Sequence, residues 1–238
     1  MIDLHTHVLP GLDDGAAEDS VALAMCRMAL ADGITTMVAT PHLYGGVGVP
    51  DPGVIADAAD RLKRRLAEEH LELELRFAAE MPMMEHVVEL YRSGKWPAFD
   101  AGRRYVLLEM SPMRNGLSIL RDMVFRLRIE GATPILAHPE RLDFMGEPGA
   151  MEGLQIQGAL VQITAQCLTG GRTGERARAL EWLQRGWVHV VASDAHDAVR
   201  RPPLLSLARR WLTEQMGEKA ADDLTRGNPM KILQGLSI

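Results

Sequence analysis

Seven short apolar runs, rich in β-branched residues, alternate with longer amphipathic stretches along this chain. That alternation restricts the fold more than any other feature, because repeated strand–helix units build a parallel sheet covered by helices. Met1–His5, Ile34–Thr40, Leu71–Ala79, Arg104–Met110, Thr133–Ala137, Ala159–Thr164 and Trp187–Ala192 read as the strands. Helices are expected over Asp19–Asp32, Pro52–His70, Pro82–Arg92, Gly116–Glu130, Glu147–Gln157 and Thr173–Arg185, with Gly33 stopping the first. From Pro202 to about Leu233 the pattern is helical again. No repeat or composition break divides the 238 residues, so one α/β domain over 1–238 is expected. A doubly wound sheet and a barrel both satisfy the spacing.

Polar residues at the strand ends separate the two. His5 and His7 close the first strand, His42 the second, Glu80 the third, Glu109 the fourth and His138 the fifth; Asp194 and His196 close the seventh. In parallel α/β folds the C-terminal strand ends share one rim, where sites are built. Only a closed or nearly closed sheet gathers all of these side chains around one mouth, which favours the barrel. His5 and His7 stand two apart, so they share a strand face, about 6.6 Å apart along the chain. Two imidazoles so placed converge on one cation, and Asp194-x-His196 repeats the spacing. Glu80 and Glu109 add carboxylates able to bridge two ions. Any one of these residues reads equally well as a cap, but burying the whole set without cations is costly.

Composition narrows the setting. Hydrophobic residues make up 47% of the chain, enough for a large core, which excludes disorder as the main state. The 32 acidic against 26 basic residues argue against a nucleic-acid partner. Two cysteines form no disulfide framework, and MIDLHTHVLPGLDDG has no basic flank or unbroken apolar run. No segment is apolar for long enough to insert in a membrane. The expectation is a cytoplasmic protein.

The segments MIDLHTHVLPGLDDGA, GITTMVATPH, ILAHPER and VVASDAH together resemble the polymerase and histidinol phosphatase (PHP) superfamily. Within it they are most similar to the CpsB/CapC type, metal-dependent protein-tyrosine phosphatases of capsule and exopolysaccharide loci. The resemblance runs from Met1 to about Arg201 and implies a distorted, TIM-like (β/α)7 barrel holding three divalent ions, Mn²⁺ first, with Fe or Zn as alternatives. It implies that His5, His7, Glu80 and Asp194 hold one ion, and that Glu80 bridges to a second with Glu109 and His138. Asp14, His42 and His196 would hold the third. Asp14 lies in a loop and is assigned only through the resemblance, and Asp13 beside it is expected to support the turn. Arg141, in HPER, and Arg201 match positions that engage phosphate, with Arg200 one residue from Arg201. The implied partner is a phosphotyrosine protein, in particular a capsule-associated tyrosine kinase. This chain departs from the pattern at Leu43, at the Met81-Pro-Met-Met84 segment and at Glu109-Met-Ser-Pro112, all near the expected mouth.

Clustered divalent cations bring a bound water toward neutrality, so the expected reaction is in-line attack on phosphorus by a metal-bridging hydroxide. A tyrosyl leaving group asks little of a general acid, for which a metal-bound water or a hydrogen-bonding group such as His42 or Asp14 would serve. Other readings are a phosphatase for a small metabolite such as histidinol phosphate and a non-catalytic PHP scaffold, the latter marked by lost ligands, which are all present here. Cys167-Leu-Thr-Gly-Gly-Arg172 superficially resembles a cysteine phosphatase loop, but its spacing is one residue short. Cys26 reads as core, His189 as facing away from the mouth, and His70 and His86 as solvated. Met83 and Met84 read as lining or core, and Arg61, Arg64 and Arg65 as one face of a helix.

Overall fold

The protein, described from a computed structural model, is defined over residues 1–43, 52–112 and 115–238. Its strands are β1 (Ile2–Thr6), β2 (Thr36–Ala39), β3 (Glu74–Phe77), β4 (Glu80–Pro82), β5 (Tyr105–Glu109), β6 (Thr133–Ala137), β7 (Leu160–Thr164) and β8 (Val190–Ala192). Of the helices α1 (Asp19–Ala31), α2 (Pro52–Glu68), α3 (Val87–Arg92), α4 (Gly116–Ile129), α5 (Ala150–Ile156), α6 (Ala165–Thr169), α7 (Thr173–Gln184) and α8 (Ser206–Met216), all but the five-residue α6 lie within the expected helical stretches. The last helical stretch is broken rather than continuous, into α8, α9 (Glu218–Asp222), a π-helical turn at Asp223–Gly227 and α10 (Asn228–Leu233).

All strand pairs are parallel, in two arcs ordered β1-β2-β3 and β4-β5-β6-β7-β8. Two short seams join the arcs into a ring. At one, the His7 amide donates to Ala195 O at 2.7 Å and the Asp194 amide to His5 O at 2.9 Å. At the other, Glu80 N donates to Pro41 O at 3.1 Å and Leu43 N to Glu80 O at 2.9 Å, with a parallel bridge between His42 and Glu80. The closed parallel ring with helices outside is a distorted TIM-like barrel, as expected.

The distortion has a local cause. The single third strand expected over Leu71–Ala79 is split into β3, which pairs with β2, and β4, which pairs with β5. Between them Ala79 N donates to Pro97 O and Ala79 O accepts from the indole of Trp96, both at 3.1 Å. Buried Trp96 and the adjoining Pro97 therefore take the ladder groups of Ala79 and separate the two halves. The helix expected from Pro82 begins only at Val87, because β4 continues through Pro82.

A small cluster joins Ile2 and Leu4 of β1, Val38 of β2, Leu107 of β5, Ile135 of β6 and Val190 of β8. Side chains from strands spread around a ring meet only inside it, so this cluster fills the barrel, with Ile232 and Leu233 of α10 packed onto it. A larger cluster lies between strands and outer helices. There α2 contributes Ile55, Ala58, Ala59, Leu62 and Leu66, the three-to-four spacing of one helix face. Cys26 belongs to the buried face of α1, and burial pushes its thiol up to about 12.

Candidate metal centre

The β1 ladder slips register between Asp3 and Thr6. Leu4 thus packs inside the barrel while His5, the next residue, also turns to the mouth beside His7. The His5 and His7 Nε2 atoms end 3.1 Å apart, the convergence expected from their spacing. Each Nδ1 has its own partner. Gln162 Oε1 lies 2.8 Å from His5 Nδ1, and Asp13 Oδ2 lies 2.7 Å from His7 Nδ1. Asp13 also accepts from the Gly15 and His42 amides, so it supports the turn as expected. Gly15 sits against His7 so closely that a Cβ there would fall 2.0 Å from His7 O, which explains the glycine.

Glu80, at the start of β4, is fully buried and turns its two oxygens to different histidines. Oε2 faces His5 and His42 at 3.2 Å and His7 at 3.3 Å, whereas Oε1 faces His138 at 3.2 Å. Glu109 Oε2 is 3.6 Å from His42 Nδ1. Asp194 Oδ1 is 3.3 Å from His5 Nε2, and its Oδ2 is 2.7 Å from Arg141 and pairs with Arg201. Asp14 is exposed, with Oδ1 at 3.5 Å from His42 Nε2 and 3.4 Å from His196 Nε2. Asp194 does not extend β8 as a regular strand residue: it has φ 55°, and His138 has φ 35°. Such conformations in non-glycine residues cost about 1–3 kcal/mol and persist where the surroundings dictate them.

Charge is distributed by proximity. Burial opposes ionisation of Glu80 and Asp194, yet the facing histidines, and Arg141 for Asp194, hold both well below the usual carboxylate range. Burial likewise opposes protonation of His5 and His7, and their carboxylate neighbours overcome it and raise both. Glu109 is raised by burial and then by Glu80. His196 is lowered to about 4 by burial and then by His7.

These residues fit divalent cations. Both Glu80 oxygens and Asp194 Oδ1 are buried without a hydrogen bond, although nitrogen and carboxylate donors surround them. Four overlapping groups place their ligand atoms within 4.8 Å: His5, Glu80 and His138; His5, His7 and Asp194; His42, Glu80 and Glu109; and His7, Asp14, His42 and His196. The nine residues singled out as ligands thus come together. The grouping differs in detail, since His7 joins the Asp14 group and Glu109 falls nearest His42 rather than His138. Arg141 and Arg201 reach the cluster, whereas Arg200 is exposed with its amide on Asp197.

Other candidates lie elsewhere. Cys167 is buried in α6 and burial raises its thiol, which leaves no accessible thiolate. His70 and His86 are exposed, Met83 is core, and His189 bonds to the Val161 backbone outside the cluster. Gln162 was missed by ligand-type reasoning. Its signal is one buried amide within the apolar run of β7.

Comparison with known proteins follows the same outline. The capsular polysaccharide synthesis family CpsB/CapC matches residues 1–234. Tyrosine-protein phosphatase YwqE of Bacillus subtilis is 32% identical over 204 residues, covering 84% of this chain and 79% of the relative. Tyrosine-protein phosphatase CpsB of Streptococcus pneumoniae is 28% identical, covering 98% of each. A crystal structure from the pair YwqE of B. subtilis and CpsB of S. pneumoniae, described as unique metal-dependent tyrosine phosphatases, superposes with TM-score 0.92 at 30% identity. It covers 100% of this chain and 96% of the solved one. With the whole ring and every strand-end motif inside the match, this chain belongs to the CpsB/CapC family.

Proposed function

We infer that this protein is a metal-dependent phosphomonoesterase that removes phosphate from tyrosine in proteins and thereby regulates capsule or exopolysaccharide synthesis. The observation that carries this reading is Glu80, a buried carboxylate with no hydrogen bond to either oxygen and four histidines within 3.3 Å. Burying that charge is costly; without cations it is met only by protonated histidines, whose place divalent cations would take. The relatives' phosphotyrosine chemistry supports the same assignment.

His5, His7, Glu80 and Asp194 would hold one ion, Glu80, Glu109 and His138 a second, and Asp14, His42 and His196 a third. Mn²⁺ is the assigned ion, with Fe or Zn as alternatives that mixed nitrogen and oxygen ligands also accept. Divalent cations there supply Lewis acidity to the phosphoryl oxygens and acidify water at the reacting centre. Arg141 and Arg201 bind the phosphate, because a guanidinium offers a planar pair of donors and keeps its charge. Both sit about one-third exposed beside Asp194, at the edge of the cluster. The departing phenolate asks little of a general acid; water held at the ions, or hydrogen bonding from His42 or Asp14 on the more open side, would serve it. No thiol nucleophile takes part, as both cysteines are buried.

The partner we assign is a capsule-associated tyrosine kinase in the cytoplasm. Among the described residues no helix is long and apolar enough to cross a membrane. The test is turnover of phosphotyrosyl peptides and of histidinol phosphate, before chelation, after it, and with Mn²⁺ restored. The expected result is peptide turnover that chelation abolishes and Mn²⁺ returns. Activity surviving full metal removal, or preference for histidinol phosphate, overturns the reading.

A further inference from the structure

Beside the metal cluster, between α6 and α8, lies a cavity of about 130 Å³ that nothing above employs. Ala165, Leu204, Leu207 and Ala208 give it apolar walls, and Gln166 stands at its border. Thr169, Ser193 and Arg201 complete the lining, and the Arg201 guanidinium pairs with Asp194. The cavity and the cluster therefore meet at one side chain.

The apolar character is not explained by the fold. Leu207 is on the first turn of α8, where a polar side chain would serve the helix equally well, yet it is a leucine 53% exposed. Val199, in the turn leading to Arg201, is 86% exposed. Asp197 accepts the Val199 and Arg200 amides and so fixes that turn ahead of Arg201. Apolar groups left in water next to an anion-binding arginine suit a ligand carrying both features.

Size selects within that class. An apolar cavity of about 150 Å³ accommodates benzene, so one of about 130 Å³ has room for a branched aliphatic side chain. We propose that the cavity is a specificity subsite for the aliphatic side chain of a residue adjacent to the phosphotyrosine in the substrate protein. The proposal rests on the phosphotyrosyl reading above. It adds that the α6–α8 face, and not the metal cluster alone, selects which phosphotyrosine is cleaved.

The experiment compares kcat/KM of the Mn²⁺-loaded protein for phosphotyrosyl peptides differing only in leucine or glycine beside the phosphotyrosine, with p-nitrophenyl phosphate as a substrate lacking any flanking residue. Wild type should prefer the leucine peptide by about tenfold, the discrimination that small apolar pockets give. Leu207→Asp, at an exposed position that packing does not constrain, should remove that preference and leave p-nitrophenyl phosphate turnover unchanged. Leu207→Met should retain it. Equal use of both peptides by wild type, or a preference that survives Leu207→Asp, overturns the subsite. Absence of turnover for p-nitrophenyl phosphate and both peptides overturns the phosphatase reading instead, so the two failures are distinct.

Discussion

The Asp13 carboxylate lies 2.7 Å from Nδ1 of His7 and also accepts the His42 amide at 3.1 Å, so one turn residue orients two histidines of the cluster. An acceptor on Nδ1 would leave Nε2 of His7, 3.3 Å from Glu80, as the nitrogen available to a cation. Burial opposes charge on Asp13, but His7 outweighs it and keeps the carboxylate below its ordinary pKa. Asp13→Asn keeps the shape and removes the charge. Affinity for Mn²⁺, read by titration calorimetry, should fall about 10–100-fold; an unchanged affinity would show that His7 needs no such support.

Gln162 performs the corresponding task for His5 with a neutral amide. Gln162→Leu leaves a buried imidazole nitrogen unpaired, at a cost of about 1–3 kcal/mol. Weaker Mn²⁺ binding is expected, with Gln162→Glu restoring it because the acceptor returns. Loss in both variants alike would point to packing rather than to orientation.

Arg141 contacts Asp194 across 2.7 Å and is largely sheltered from solvent. Arg141→Ala should raise KM for phosphotyrosyl peptides and weaken inhibition by inorganic phosphate about tenfold or more, while the protein still binds cations. Steady-state kinetics with phosphate as inhibitor decide it. A fall in kcat with KM unchanged would contradict a role in binding the phosphate.

Without cations the cluster gives stability a distinct pH dependence. Against the opposition of burial, facing cations hold Glu80 and Asp194 well below 4.5 and 3.8, so their contribution is present above those values and lost as pH falls through the depressed ones. His5 and His7 are raised above 6.5, so theirs is complete below 6.5 and lost as pH rises through the raised values. The contributions overlap between about pH 4.5 and 6.5. Within that window buried Asp3, raised to about 6, loses stability as pH rises while His196, lowered to about 4, gains it, so the two oppose each other. Calorimetry of the apo protein should give its highest Tm in that window. Saturating Mn²⁺ should move the maximum upward in pH, because cations displace protons from histidine. An apo Tm that climbs steadily into the alkaline range would refute the assignment.

Asp32, just past α1, accepts from Leu205 N at 2.6 Å, Ser206 N at 2.8 Å and Ser206 Oγ at 2.5 Å. It thus caps the start of α8, whose own N-cap residue makes no such bond. Asp32→Ala should cost about 1–2 kcal/mol and lower Tm by about 3–8 °C. Thermal melts check this, and a Tm within a degree of wild type would show the cap to be dispensable.

The ring and its mouth were legible because strand ends carry chemistry in order: His5, His42, Glu109 and His138 each follow an apolar run that has only one plausible direction. The division of β3 from β4 was not, since Ala78 and Ala79 contain no breaker and the cause, Trp96–Pro97, arrives from elsewhere in the chain. Residues 165–169 are too few to register helical periodicity, so α6 and the cavity beside it were hidden. Gln162 and Asp13 are visible only through what they touch. Asp14 needed the family resemblance, because a loop aspartate before glycine usually serves the turn itself.

The two seams of the barrel are stitched by the backbones of His5, His7, Asp194, His42 and Glu80, the same residues whose side chains form the cluster. A cation drawing those side chains together is therefore also a buckle on the ring. Loading should slow amide hydrogen exchange at His7, Leu43 and Asp194 before it affects the middle of β6. Cation loading and closure of the ring would then be one event rather than two.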